Sequence, residues 1–216
     1  METEQERDQK HFFNLPDNWP QAVGEWRERD REVVYENAWI RVTHSPVHNP
    51  NGGEGIYGVV HFKNLAIGII PVDSEGYTYL VGQERFPLGG KYTWEIIEGG
   101  GPLDQEPLLS AQRELQEEAG LAAQHWHLIQ KMDLSNSATT EQAMIYLATG
   151  LSELPATPEA SEKLTIRKVP LAKAIQWVLE GSIEDSLSVA GLLRLEYLRR
   201  EKSQAEALAL PPAIRP

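Results

Sequence analysis

Residues 113–118 read Arg-Glu-Leu-Gln-Glu-Glu and follow a glycine run, Gly99-Gly100-Gly101. Oxygen-rich side chains this close together could hold a cation. On a helix at about 100° per residue, Glu114 and Glu118 lie one above the other, about 40° apart, and Glu117 is the next position round the same side. Leu108, Ala111, Leu115 and Ala119 make a separate stripe at i, i+3 and i+4 spacing that would face a core, so the acids are expected to flank that stripe. Like charges at i, i+4 repel by a few tenths of a kcal/mol, and the C-terminal end of a helix disfavours anions. Local stability would not choose this arrangement. One reading is a solvated acidic face. The other is a bound hard cation, which takes oxygen ligands and reverses the sign of the repulsion. The glycines, the register against the apolar stripe and the unfavourable dipole position favour the cation. Gly120 is suited to cap the helix.

The segment 99–121 resembles the Nudix box, G-x5-E-x7-R-E-U-x-E-E-x-G-U with U apolar. Gly99, Arg113, Glu114, Leu115, Glu117, Glu118, Gly120 and Leu121 stand at the family spacing. One position departs: Gln105 stands where the box has its first Glu, with Glu106 one residue late. Glutamine hydrogen-bonds but carries no charge at neutral pH, so such a site would work with one charge fewer. The resemblance implies an α/β (α+β) fold, a Nudix-type α/β/α sandwich with a mixed β-sheet plus an N-terminal β-hairpin module. It also implies hydrolysis of a diphosphate bond with Mg²⁺ or Mn²⁺. Glu114 and Glu118 would be principal metal ligands and Glu117 a ligand or outer partner. The main-chain carbonyl of Glu98 would also reach the metal, with Gly99 and Gly100 leaving room for that approach and for substrate. Arg113, which cannot act as a base, would orient the carboxylates; it stands i, i+4 from Glu117 and can pair with it.

Other stretches resemble the ADP-ribose and nucleoside diphosphate sugar hydrolases of that family. Gln83-Glu84-Arg85-Phe86-Pro87 is similar to their QYRYP segment, which implies a substrate-holding role for Arg85. Tyr92-Thr93-Trp94-Glu95-Ile96-Ile97-Glu98-Gly99 is similar to their WE-x-P-x-G approach to the box, with Ile97 where the proline usually stands. The loop 134–141 occupies the place of their S-P-G-x-S-x-E stretch without its Pro-Gly, and makes Glu141 the candidate for base or extra metal ligand. Trp39 and Tyr35, in a front β-module, are candidates to stack on the nucleoside or else core or interface aromatics. The expected activity is cleavage of ADP-ribose or a related nucleoside diphosphate sugar to a nucleoside monophosphate and a sugar phosphate. The alternatives are a housecleaning hydrolase of nucleoside triphosphates or dinucleoside polyphosphates, and a Nudix-fold binding module with weak catalysis. A homodimer is implied by the same resemblance.

The elements that must position these residues are legible from patterning. Residues 33–35 and 39–42 read as strand, 49–53 (Asn-Pro-Asn-Gly-Gly) as a turn, and 56–62 as the returning arm of a hairpin. Residues 65–72 and 77–84 read as strands around an Asp-Ser-Glu-Gly turn. Strands follow at 126–132, 143–148 and 164–169, then helices at 171–180 and 185–200. Residues 152–161 read as a Pro/Ala-rich surface loop. The expected organisation is a tail over 1–31, with Phe12, Phe13 and Trp19 as docking anchors, a β-module over 32–63, a hydrolase domain over 64–204 and a tail over 205–216. The chain has 216 residues, 41% hydrophobic and 24% charged, the balance of a soluble globular protein. It has no cysteine, so thiolate metal sites and disulfides are excluded, and its six histidines show no H-E-x-x-H zinc spacing. A net charge of −12 argues against binding nucleic acid or anionic membrane through bulk electrostatics. No apolar run approaches the length of a membrane span and the first residues lack a secretory core, so the expected compartment is the cytoplasm.

Overall fold

The computed structural model describes residues 22–155, 163–208 and 210–215. The anchors Phe12, Phe13 and Trp19, and most of the surface loop expected at 152–161, lie outside the described residues. The chain divides into two compact units: residues up to Leu65 with Pro102–Asp104 and Asp133–Glu141, and Ala66–Gly101 with Gln105–Met132 and everything from Gln142.

In the first unit β1 (Ala22–Val23), β2 (Trp26–Glu28), β3 (Glu32–Glu36), β4 (Ile40–His48) and β5 (Glu54–Phe62) form an antiparallel sheet. The strand therefore starts ahead of residue 32, inside the segment read as tail. β5 lies along the whole of β4, from Ile40↔Phe62 to His48↔Glu54, while β3 and β2 pair with it at residues 41–44 and 47–48. The expected hairpin turn forms: Asn49 Oδ1 accepts the amides of Asn51 and Gly53 at 2.9 and 3.1 Å, and Gly52 takes φ 81°, where a side chain would be strained. Thr43, Ser45 and Val47 are buried at alternate positions of β4. Two of them are polar and find partners, Thr43 Oγ1 with His61 Nε2 at 2.9 Å and Ser45 Oγ donating to Glu28 Oε1 at 2.5 Å.

The second unit is built on β6 (Asn64–Val72), whose Leu-Ala-Ile-Gly-Ile-Ile-Pro-Val run is apolar at nearly every position and buried at nearly all of them. A strand without alternation is one covered on both faces. Its sheet runs β10 (Leu121–Asp133), β11 (Gln142–Glu153), β6, β7 (Tyr77–Arg85), β12 (Thr165–Pro170), with β8 (Lys91–Glu95) on β7 and β9 (Ile97–Pro102) on β6. β11 is parallel to β6, from Ala143↔Ala66 to Thr149↔Val72, whereas β7 pairs antiparallel with β12 and β8, so the sheet is mixed. Helix α1 (Pro107–Ala119) covers the face that Ile67 looks towards, and α3 (Ser186–Arg200) covers the other. A Cβ at Gly101 would meet Ser110 of α1 at 2.9 Å and Ile67 at 3.4 Å, whereas one at Gly68 would meet Leu187 of α3 at 3.4 Å; adjacent strand residues point to opposite faces. Gly191 lets α3 lie close on Ile145 and Ile70, at 3.0 and 3.1 Å from an added Cβ. Helices α2 (Leu171–Leu179) and α4 (Lys202–Ala207) complete the set. The mixed α+β sandwich expected from the sequence is thus present.

Two segments take structure that their residue patterns do not announce. The glycine run is strand β9, because β6 offers it an edge to pair with despite the low β propensity of glycine. Residues 205–216, read as a frayed tail, bury Ala205, Leu210 and Ile214; Gly76, at φ 85°, leaves the space that Ile214 fills.

Candidate active site

The site grows from a fit between β9 and α1. Gly99 and Gly101 lie two residues apart and so on one face of the strand. An added Cβ at Gly99 would fall 1.9 Å from Glu114 Cδ, and one at Gly101 2.9 Å from Ser110 Oγ. Two strand residues advance about 6.6 Å and four helix residues about 6 Å, so one turn of α1 rides on a stripe without side chains. This contact corrects the expectation that the acids merely flank the buried stripe. Glu114 and Glu118 belong to it, each 8% exposed, alongside Ala111 and Leu115, and Leu108 and Ala119 are only half-buried. Gly120 ends the helix at φ 63°, its amide bonded to the carbonyls of Gln116 and Leu115.

Arg113 joins the two elements. It donates to Glu117 Oε2 at 2.5 Å, to Glu114 Oε1 at 2.6 Å and to the Gly100 carbonyl at 2.9 Å. Burial works against its charge, but the carboxylates of Glu114 and Glu117 outweigh it and raise its pKa above the ordinary value. The Glu98 amide donates to Glu118 Oε2 at 3.4 Å. Gln105, the departure from the box, accepts from Ser110 Oγ at 3.4 Å, and Glu106 stands at the N-cap of α1 ahead of Pro107.

Beside this helix Gln83 and Arg85 of β7 share a face with Thr93 and Glu95 of β8, by the alternation of paired strands. Arg85 Nε donates to both oxygens of Glu95, at 3.0 and 3.1 Å, and Nη2 also bonds Oε2. Thr93 Oγ1 and Gln83 Nε2 supply Glu95 with further donors at 2.6 and 3.3 Å. The hydrogen bonds that Arg85 donates to Glu95 raise its pKa. Arg85 Nη2 is 3.8 Å from Glu98 Oε2. Burial, and then hydrogen bonding with Asp185, push the Glu98 carboxyl well above the usual carboxylate range. Burial would raise Asp185 too, but bonds from Glu98 and Ser188 hold it below its ordinary value.

Arg113, Glu114, Glu117, Glu118, Glu98, Gly99 and Gly100 are therefore brought together, with Arg85 next to Glu98. Tyr35, Trp39 and Glu141 belong to the first unit. Tyr35 and Trp39 are 55% and 67% exposed, so neither is a core aromatic. The Glu141 loop is tied to β5: Val60 donates to the Ala138 carbonyl at 2.9 Å and accepts from the Thr140 amide at 3.0 Å, and Tyr57 Oη donates to the Ser137 carbonyl at 2.9 Å. Ser135 adopts φ 46° in this loop. Glu141 is half-buried, which raises its carboxyl pKa. Sequence reasoning passed over Glu95, although its segment was in view, and over Asp185 and Ser188. Asp-x-x-Ser before an apolar helix is an N-cap signal, and Asp185 does cap α3 by accepting the Ser188 amide at 2.8 Å. Nothing local in the sequence connects that cap to Glu98.

A glycine strand packed against a helix of carboxylates, with an arginine clamp between them, places the residues of the box side by side. The family model for the NUDIX domain matches residues 62–186, and the chain belongs to that family as a Nudix hydrolase. Residues 26–60 match the nucleoside diphosphate sugar hydrolase N-terminal domain. Among relatives, an ADP-ribose pyrophosphatase of Mycobacterium tuberculosis is 35% identical over 184 residues, covering 82% of this chain and 86% of the relative. A CMP-5'-(N-acetyl-N-hydroxy-3-aminopropyl)phosphonate hydrolase of Streptomyces rubellomurinus is 26% identical over 182 residues, covering 83% and 86%. A crystal structure of an ADP compounds hydrolase superposes with a TM-score of 0.73 at 19% identity, covering 83% of this chain and 97% of that one, a likeness of fold. Nudix ADP-ribose pyrophosphatases generally use a divalent metal. The donor set at the corner suits one: it is all oxygen, and the cradle left by Gly99 is filled by the Glu114 carboxylate. Among the described residues no three acids or histidines already stand as a ready-made metal cluster; Arg113 holds Glu114 and Glu117. No helix among the described residues is long and apolar enough to cross a membrane.

Proposed function

We propose that this Nudix hydrolase splits the diphosphate of ADP-ribose or a related nucleoside diphosphate sugar with water, giving a nucleoside monophosphate and a sugar phosphate. The observation that carries the substrate class is the nucleoside diphosphate sugar hydrolase N-terminal domain at 26–60, directly ahead of the hydrolase domain. The organisation proposed is an N-terminal β-module that begins with β1 and β2, ahead of residue 32, and runs to 63, then the hydrolase domain over 64–204 and a terminal segment over 205–216. Glu114 and Glu118, with Glu117 and the Glu98 carbonyl, would hold Mg²⁺ or Mn²⁺. When bound, such a cation neutralises the diphosphate and lowers the pKa of an attacking water. Arg113 keeps the carboxylates aligned, and Gly99 and Gly100 let the substrate diphosphate approach the main chain. Arg85, fixed by Glu95, offers its remaining N–H groups to a phosphate oxygen. Glu141, whose burial raises its basicity, takes the proton from water. Trp39 and Tyr35 give aromatic faces to the nucleoside, from one subunit or its partner in a homodimer. The protein is expected to act in the cytoplasm on small nucleotides.

A screen of nucleotide sugars, dinucleoside polyphosphates and nucleoside triphosphates, with Mg²⁺ or Mn²⁺ and detection of the monophosphate product, tests the reading. Preferential cleavage of ADP-ribose or another nucleotide sugar is expected. Preference for triphosphates would overturn the substrate class, and binding without turnover would overturn catalysis.

A further inference from the structure

Glu98 is the second residue of β9, just past the junction with β8 at Ile96, and helix α3 grips both Ile96 and Glu98. Ser188 of α3 is fully buried. Its Oγ accepts the Ile96 amide at 2.8 Å and donates to Glu98 Oε1 at 3.3 Å. One hydroxyl thereby uses its proton and a lone pair on residues either side of Ile97, itself fully buried. The same serine is fixed through its own amide by Asp185 Oδ2 at 2.8 Å, and Asp185 also hydrogen-bonds the Glu98 carboxyl. On the other side, the Glu98 amide meets Glu118. A chain of hydrogen bonds therefore runs from the first turn of α3 through Glu98 to the acid helix α1.

We propose that Ser188 and Asp185 are positioning residues for divalent-cation binding: by holding Glu98, they set the backbone that would face the cation, although α3 supplies no ligand of its own. The inference rests on the reading that Glu114, Glu118 and the Glu98 carbonyl hold the metal. A polar group that orients a ligand belongs to the site as much as the ligand does, and removing one typically weakens metal affinity by about tenfold or more.

The test is Mn²⁺ binding to the full-length protein, followed by the loss of the free-ion electron paramagnetic resonance signal, with thermal unfolding in parallel. Ser188→Ala is expected to weaken Mn²⁺ binding about tenfold, and at saturating Mn²⁺ its KM for the nucleotide sugar stays at the wild-type value. Should Ser188→Ala fail to fold, Asp185→Ala, at a half-buried position, is expected to weaken Mn²⁺ binding in the same direction. Glu118→Gln separates the two readings. If it binds Mn²⁺ as the wild type does, the metal site itself is wrong. If it loses Mn²⁺ while Ser188→Ala and Asp185→Ala bind normally and only melt earlier, α3 is a structural support and the positioning role is overturned.

Discussion

Glu118 and Glu141 are both partly withdrawn from water, and they answer to different measurements. Glu118 is buried on α1 against the Glu98 amide. Replacing it with glutamine keeps the shape and removes the charge that would oppose a divalent cation. Several kcal/mol of charge stabilisation go with it, so turnover is expected to fall by about 100-fold or more with little change in unfolding temperature. Near-wild-type hydrolysis by Glu118→Gln would refute the metal assignment. Glu141 carries a carboxyl whose pKa is raised by burial. As a base it must be ionised, so the acidic limb of the kcat profile should lie above the ordinary glutamate value of 4.5. Glu141→Gln should lower kcat and flatten that limb; an unchanged limb would mean that another group takes the proton. The Arg113–Glu117 pair was legible in the sequence because helical spacing alone creates it. The grip of Glu95 on Arg85 and of Ser188 on Glu98 was not, because those partners meet only through strand pairing and through a helix some ninety residues away.

At the scale of elements, the glycines of β9 and the turn between β6 and β7 do separate work. Gly99→Ala would drive a methyl group into the Glu114 carboxylate. α1 would have to lift from β9, and the variant is expected to lose nearly all hydrolysis and several degrees of stability; an alanine variant of wild-type activity would refute the packing described. In the β6–β7 turn, burial would raise the Asp73 pKa. Bonds from Lys168 and from the Tyr77 and Glu75 amides outweigh this and hold it below its ordinary value of 3.8. A depressed acid stabilises the fold above its unfolded pKa and stops doing so as pH falls through the folded value. Urea midpoints should therefore drop on going from pH 7 to pH 3 by more in the wild type than in Asp73→Asn, and equal drops would contradict this. Strand patterning exposed β5, β6 and β7 to within two residues of their ends, but only the start of β4, which runs on to His48. It could not show that Gly99-Gly100-Gly101 is a strand, because that strand exists for the edge of β6 and the proximity of α1 rather than for its own residues.

For the whole molecule, the C-terminal residues and the loop before β11 show how distant segments complete each unit. Leu210 and Ile214 are buried, 0% and 6% exposed, and Arg215 Nε donates to the Leu210 carbonyl at 2.7 Å. Burying two such side chains contributes about 1.5–3 kcal/mol each, so deleting residues 209–216 is expected to lower the unfolding temperature by about 10 °C. A truncation that melts with the full chain would show these contacts to be idle. The Pro-rich terminal stretch had no helical or strand period to announce this packing, which is why it read as a tail. The loop holding Glu141 is laced to β5 by four hydrogen bonds, two at Val60, one from Tyr57 and one from the Phe62 amide to Thr140 Oγ1. Exchanging front modules between relatives to alter their choice of nucleotide would carry the strand but leave its loop behind. A working chimera would have to transplant residues 133–141 together with the front strands, two pieces of sequence that make one compact unit.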